Sequence, residues 1–291
     1  MAENKLTWQS KLVLLAVLPF AGTEVVLDCN WWVSQAAPVD LWVIGLSALL
    51  GLVTWRLRAA TPTAALTGAL ITASLMFSTV VVPYEPWHTA LVPTLAVSLL
   101  AFVATLAGRR KKERLGTAEG RRGRGASQVA ANLGLAALVS SSPVQSWLMD
   151  SSWLPHHSST QTMLFALTVA ALAEAAADTA SSEIGQVLGG RPRMITSLKS
   201  VAPGRDGAIT AAGTVAGLVA AAIVAYAGMW ALGGGWILFK VSCAGAVFGL
   251  FFDSLLGATF EERGLLNNDA VNFLSTASAA GFALATLCAM H

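Results

Sequence analysis

The residues best placed to do chemistry lie in Ala173-Glu174-Ala175-Ala176-Ala177-Asp178-Thr179-Ala180-Ser181-Ser182-Glu183-Ile184-Gly185, where three carboxylates close a strongly apolar run. A charged side chain at bilayer depth costs about 2.5–3.5 kcal/mol on insertion scales, so such a segment needs a functional or pairing reason. Glu174, Asp178 and Ser182 follow one another at four-residue steps and share one helical face. Glu183 falls off that line, at the expected membrane surface, where Gly185, Gly189 and Gly190 are expected to end the helix. The alternative is packing alone, with each acid neutralised by a neighbouring arginine.

A basic loop comes next, from Gly189 to Thr214. Arg193 and Lys199 supply charge, Gly204 and Gly207 let backbone N–H groups approach phosphate oxygens, and the following helix start, at Thr210 and Thr214, adds a partial positive charge. This composition suits a polyphosphate. An ordinary loop on the positive side of the membrane, with Gly213 and Gly217 as a helix-packing motif, is the other reading. Acids directly before phosphate-binding bases imply a divalent cation between them.

Farther along, Gly245, Gly249 and Asp253 share a face, so this segment can pack closely on a neighbour and carry Asp253 to the depth of Asp178. Two carboxylates at one level on adjacent helices make a candidate Mg2+ site, with Glu183 as a third acidic ligand. Gln128 and Asn132 stand one turn apart after Arg124, and Asn268, Asn272 and Thr276 line another face. Hydrogen bonding between helices is the alternative for these amides.

The elements that must position these groups are membrane helices. Of 291 residues, 55% are hydrophobic and 12% charged, and the mean hydropathy is +0.64. Apolar runs of nearly bilayer length recur throughout and leave no stretch for a large soluble domain. The sequence predicts an all-α, polytopic bundle of about nine spans near 12–27, 41–55, 62–82, 88–107, 128–149, 161–182, 208–230, 234–257 and 269–290. The first, after Lys5 and Lys11, is read as a retained helix and not a cleaved signal. With the N-terminus cytoplasmic, the Lys and Arg loops, including the dense set Arg109 to Arg124, all fall on one side. Tryptophans at span ends form an aromatic belt. Glu24 and Asp28 read as solvated outer carboxylates without a role. His156 and His157 have no third metal ligand beside them, and Cys29, Cys243 and Cys288 are too scattered for a metal motif. Polar residues concentrate after 109, dividing the chain into a scaffold (1–108) and a catalytic transmembrane domain (109–291).

The ordered segments Arg124–Asn132, Ala177–Gly185, Pro203–Ile209 with Gly213-Thr214, Phe252–Gly257 and Asn268–Asn272 resemble the integral membrane family containing the phytyl-phosphate kinase of tocopherol salvage. The resemblance covers roughly the last two thirds of the chain. A weaker similarity runs to phytol and dolichol kinases and CDP-diacylglycerol synthases, in which Asp178, Lys199 and the Asp253-Ser254 pair are the matching positions. The histidine-containing Pro-Gly-His-Gly-Gly motif of the last group is absent.

The resemblance implies a CTP-dependent kinase of isoprenoid monophosphates (phytyl, farnesyl or geranylgeranyl) in the cytoplasmic membrane, with Mg2+ as cofactor and the active site facing the cytoplasm. Asp178, Glu183, Asp253 and Lys199 are the expected catalytic residues. Arg124, Gln128, Asn132, Arg193, Lys199, Gly204, Gly207, Thr210, Thr214, Ser254, Asn268 and Asn272 are the expected nucleotide and phosphate contacts. The partners are CTP, the lipid phosphate and membrane lipids, without nucleic acid, and a homodimer is compatible. A CDP-lipid-forming cytidylyltransferase, a prenol kinase and an ion-coupled transporter are the competing readings.

Overall fold

The computed structural model describes residues 6–35, 37–116, 123–150 and 160–290. Arg121, Arg122, His156 and His157 lie outside them. The elements run α1 (Thr7–Ser34), α2 (Val39–Arg56), α3 (Pro62–Ser78), α4 (Leu91–Leu106), α5 (Arg109–Leu115), α6 (Ala126–Ser140), α7 (Ser142–Met149), α8 (Thr160–Leu188), α9 (Ala211–Leu232), α10 (Gly235–Leu256) and α11 (Asn268–Ala289). A two-residue hairpin pairs β1 (Arg193–Met194) with β2 (Ala208–Ile209) between α8 and α9. The all-helical membrane bundle expected from hydropathy is what forms. Among the described residues six helices can cross a bilayer by length and composition, and a seventh if α4 and α5, bent by 63°, are one span. α3 and α6 occupy two further expected segments but have only 17 and 15 residues, about 25 Å or less at 1.5 Å per residue against a core of about 30 Å.

α8 is the centre of the bundle. Its apolar window is 94% buried, against 22% for α1 and α2, as expected of a helix apolar on every side. The close approach of its neighbours comes from glycine. A Cβ on Gly217 of α9 would lie 2.9 Å from the Ala177 carbonyl, and one on Gly213 2.6 Å from that of Ser181. On α10 a Cβ at Gly245 would meet the Ala279 carbonyl of α11 at 2.5 Å, and one at Gly249 would meet Glu174 Cγ at 2.5 Å. Gly213 and Gly217 are thus the packing motif that the sequence left open.

Several expectations are corrected. α8 runs past Gly185 to Leu188, and of the three glycines expected to end it Gly189 and Gly190 do so, while Gly185 lies inside the helix with Thr210 Oγ1 2.9 Å from where a Cβ would stand. The segment 128–149 is broken at Ser141, whose backbone is extended, into α6 and α7. Glu24 is not solvated. It is 4% exposed, and its Oε1 accepts from the Ser142 N–H (3.0 Å) and hydroxyl (2.7 Å), neutralising the α7 start. The three cysteines, by contrast, are free, as their scatter in the sequence suggests.

These contacts order the glycines by consequence. Gly245→Val should cost about 1–3 kcal/mol through forced separation of α10 and α11, whereas Gly281→Ala, with open space around it, should be neutral or stabilising by up to about 1 kcal/mol. Thermal unfolding of the detergent-solubilised variants measures both.

Candidate functional site

At the end of the bundle where α8 meets α6, α10 and α11, a cavity of about 450 Å3 opens. Its wall contains Arg124, Gln128 and Asn132 of α6 and its lead-in, Asp178, Thr179, Ser181, Ser182, Glu183 and Gln186 of α8, and Asp253 and Ser254 of α10. The loop Pro203–Ala208, Thr210, Gly257, Glu261, Asn268 and Asn272 complete it. Gly257–Glu261 is a π-helical turn that continues α10, a distortion frequent at functional sites. Gly207 lies in the left-handed region (φ +72°), and a Cβ there would stand 2.3 Å from Ala258 N, so only glycine lets the loop seat against this turn.

Asp178 and Asp253 line the same cavity from α8 and α10. Glu174, one turn deeper, and the Ser275 hydroxyl flank them. Glu174 Oε1, Gln186 Oε1 and Asp253 Oδ2 are buried without a hydrogen-bond partner. An unsatisfied buried polar group costs about 1–3 kcal/mol, more when charged, and these three are acceptors only in the orientation given. The vacant bonding capacity therefore calls for a cation or a donor. The Arg124 guanidinium faces Asp178 and reaches Thr179 Oγ1 at 3.4 Å.

Arg124 is fixed by backbone from the first half of the chain. Its N–H donates to Ala59 O (3.0 Å) and its carbonyl accepts from Thr61 N (3.0 Å). Gly123, at φ +77°, has Arg58 O and Ala59 C 2.5 Å from a hypothetical Cβ, so the strand-like crossing requires glycine. The start of α1 similarly braces α11. Ser10 Oγ donates to Asp269 Oδ2 (2.6 Å), and Gln9 bonds both Leu265 O and Asn267 N.

The family whose pattern matches residues 45–280 is described as integral membrane protein DUF92. The chain belongs to this family. An uncharacterised membrane protein of Methanocaldococcus jannaschii is 41% identical over 108 residues, covering 37% of the chain and 45% of the relative. The chain thus spans less than half of that relative's length. An uncharacterised membrane protein of Synechocystis is 31% identical over 209 residues, covering 68% and 73% respectively. No solved structure matches.

In this DUF92 protein the cavity gathers Arg124, Gln128, Asn132, Asp178, Glu183, Gly204, Gly207, Thr210, Asp253, Ser254, Asn268 and Asn272 from the expected set. It does not gather Lys199, Arg193 or Thr214. Lys199 is exposed, and its backbone carbonyl accepts from Met194 N (3.0 Å). The Arg193 guanidinium donates to Leu198 O (3.4 Å), and Thr214 lies one turn inside α9. Thr210 has an identified local task, with Oγ1 accepting from Gly213 N (3.0 Å) as the helix cap.

The expected role of Glu183 as a metal ligand is corrected. Its Oε2 pairs with Lys112 Nζ at 2.6 Å and its Oε1 accepts from Thr105 (3.0 Å). Lys112 is 1% exposed and also donates to the Ala104 and Thr105 carbonyls, so its three N–H bonds are used. Among the described residues no three His, Cys, Asp or Glu side chains form a metal-holding group. Asp178 and Asp253 remain, with neutral oxygen donors around them. That set fits a hard divalent cation, which commonly takes one or two carboxylates and completes its shell from water and phosphate.

Sequence reasoning missed Gln186, Arg205, Asp206 and Glu261. Gln186 was within reach, since it extends the 174, 178, 182 series by one more turn. Arg205 forms a forked ion pair with Glu262, its Nη2 lying 3.1 Å from Oε2, and Arg205 holds Glu262 below the usual carboxylate range. Burial, then Glu262, raises Asp206. With Glu183 and Arg205 each paired to other residues, the lining presents Asp178, Asp206, Asp253 and Glu261 against Arg124 alone.

The Lys112–Glu183 pair should behave as structure. Lys112→Met should cost about 3–5 kcal/mol by stranding a buried carboxylate, and adding Glu183→Gln should recover much of that loss. Thermal unfolding midpoints of the single and double variants test the coupling.

Proposed function

We propose that this protein is a Mg2+-dependent kinase that transfers the γ-phosphoryl group of CTP to an isoprenoid monophosphate at the cytoplasmic end of the bundle. The observation that carries the reading is the Asp178–Asp253 pair with unfilled oxygen capacity, opposite Arg124 in a polar cavity bounded by a glycine-bearing loop. The substrate class is supported by the resemblance of the ordered motifs to the phytyl-phosphate kinase family.

The chemistry asks little of side chains beyond position and charge. A monophosphate ester carries about −1.5 to −2 charges at pH 7, so its oxygen needs no general base. It bonds to the γ-phosphorus as the bond from that phosphorus to the β–γ bridging oxygen breaks, giving prenyl diphosphate and CDP. Asp178 and Asp253 are the residues to hold Mg2+, which would offset charge on the phosphates in this site. Arg124 supplies a fixed guanidinium for phosphate oxygens. The excess of carboxylates in the lining disfavours a bare polyphosphate, so the nucleotide enters as its metal complex.

Purified protein with geranylgeranyl monophosphate, CTP and Mg2+ should release CDP and prenyl diphosphate. Asp178→Asn and Asp253→Asn should each lower the rate by about 100-fold or more, and Glu174→Gln by less. Release of pyrophosphate in place of CDP would reassign the protein to CDP-lipid synthesis, and absence of any lipid product across nucleotides and chain lengths would end the enzymatic reading. Binding of a fluorescent CTP analogue should require Mg2+ and vanish with EDTA, a measurement independent of turnover.

A further inference from the structure

A second cavity, of about 520 Å3, lies among α2, α3 and α4 of the segment read from sequence as scaffold and α6 of the catalytic one. Small side chains open it. Gly51, Ala64, Ala65, Gly68, Ala101 and Ala175 leave room where larger residues would fill the space. Its hydroxyls are already spent, Thr105 on Glu183 Oε1 (3.0 Å) and the others on their own helices. Thr54 donates to Gly51 O (2.9 Å), Thr72 to Gly68 O (2.7 Å) and Ser98 to Thr94 O (2.9 Å), so the wall offers a guest mainly hydrocarbon.

One end of this apolar chamber is basic. Arg58, Arg109 and Arg124 line it, with Glu113 the one acid, and Glu113 is engaged with Arg109 at 3.3 Å. Arg124 and Asn132 belong to both cavities, and are the wall through which the apolar chamber meets the Asp178–Asp253 site. A guest matching this chamber has a hydrocarbon body and one anionic head that stops at Arg124. The volume is within the roughly 300–1,000 Å3 that holds one small organic molecule.

We infer that the α2–α3–α4–α6 chamber binds the acceptor lipid, an isoprenoid monophosphate, with its chain against Gly68, Ala101 and Phe102 and its phosphate among Arg58, Arg109 and Arg124. The identity of the lipid rests on the kinase reading above; the location rests on the chamber. α2, α3, α4 and α6 then form the lipid half of the active site, and Arg124 holds the acceptor phosphate at the edge of the acidic cavity. Arg58 and Arg109 select a charged head over a neutral prenol.

The test uses the full chain in phospholipid nanodiscs and geranylgeranyl monophosphate carrying a diazirine on its tail. Irradiation should label peptides of α3 and α4, around Thr72, Ala101 and Phe102. Ala101→Trp should reduce the label about tenfold while Mg2+–CTP binding is unchanged. Arg58→Gln, at an exposed position, should weaken monophosphate binding about tenfold and leave competition by neutral geranylgeraniol unaltered, which keeps the test readable if Ala101→Trp does not fold. Label on the outer aromatic groove of Phe248, Phe251 and Phe282, displacement by ordinary bilayer phospholipid, or equal competition by the neutral prenol would overturn the assignment. Correct labelling with no diphosphate formed under any nucleotide would leave the chamber assigned and refute the kinase.

Discussion

The polar end of this protein depends on the distance between helix backbones. Carboxylates on α8 and α10 can approach each other only if α9, α10 and α11 pack onto α8 without intervening side chains, and Gly213, Gly217, Gly245 and Gly249 permit that. In a membrane protein, where lipid tails are as apolar as leucine, such close packing and a few polar contacts supply the association that the hydrophobic effect supplies in water. The same glycines that hold the bundle together set the depth at which Asp178 meets Asp253.

Electrostatics then separates carboxylates of similar appearance into different tasks. Glu183 and Asp178 are five residues apart on one helix, yet Glu183 is turned toward α4 and α5, where Lys112 and Thr105 satisfy it. Glu24, near the other end of the bundle, is satisfied by the start of α7. Glu174 and Asp253 retain unbonded oxygens, and Asp178 sits between them with Arg124 opposite. Incomplete satisfaction is costly in a buried site, and its concentration at the edge of one polar cavity distinguishes that cavity from the other buried acids.

The basic segment after α4 shows the same division of labour. Gly108, at φ +60° and against Val187, bends the chain so that α5 closes over the end of α8. Lys111 then caps the Val187 carbonyl at 2.6 Å, and Lys112 reaches inside to Glu183. Charges of this basic segment thus anchor the central helix. Arg124 is held in a comparable way, by backbone pairing with the α2–α3 connection, which joins the two halves of the molecule at the site itself.

By itself, the sequence determined the class of fold and much of the cavity's membership. Hydropathy marks membrane helices because the bilayer demands satisfied backbone, and four-residue steps place Glu174, Asp178 and Ser182 on one face whatever surrounds them. Glycine spacing likewise announced that α10 would pack closely and bring Asp253 inward. Only the tertiary structure decided which charges meet. Lys112 and Glu183 are 71 residues apart, and no local pattern distinguishes a lysine that returns to a buried acid from one that stays in solvent. The same holds for Lys199 and Arg193, whose charge suited phosphate but which are exposed and outside the cavity wall, because the placement of a loop side chain depends on how the loop packs on the helices. The apolar chamber behind Arg124 was invisible for a related reason: a cavity is the space left between helices, and it exists only after four of them have packed.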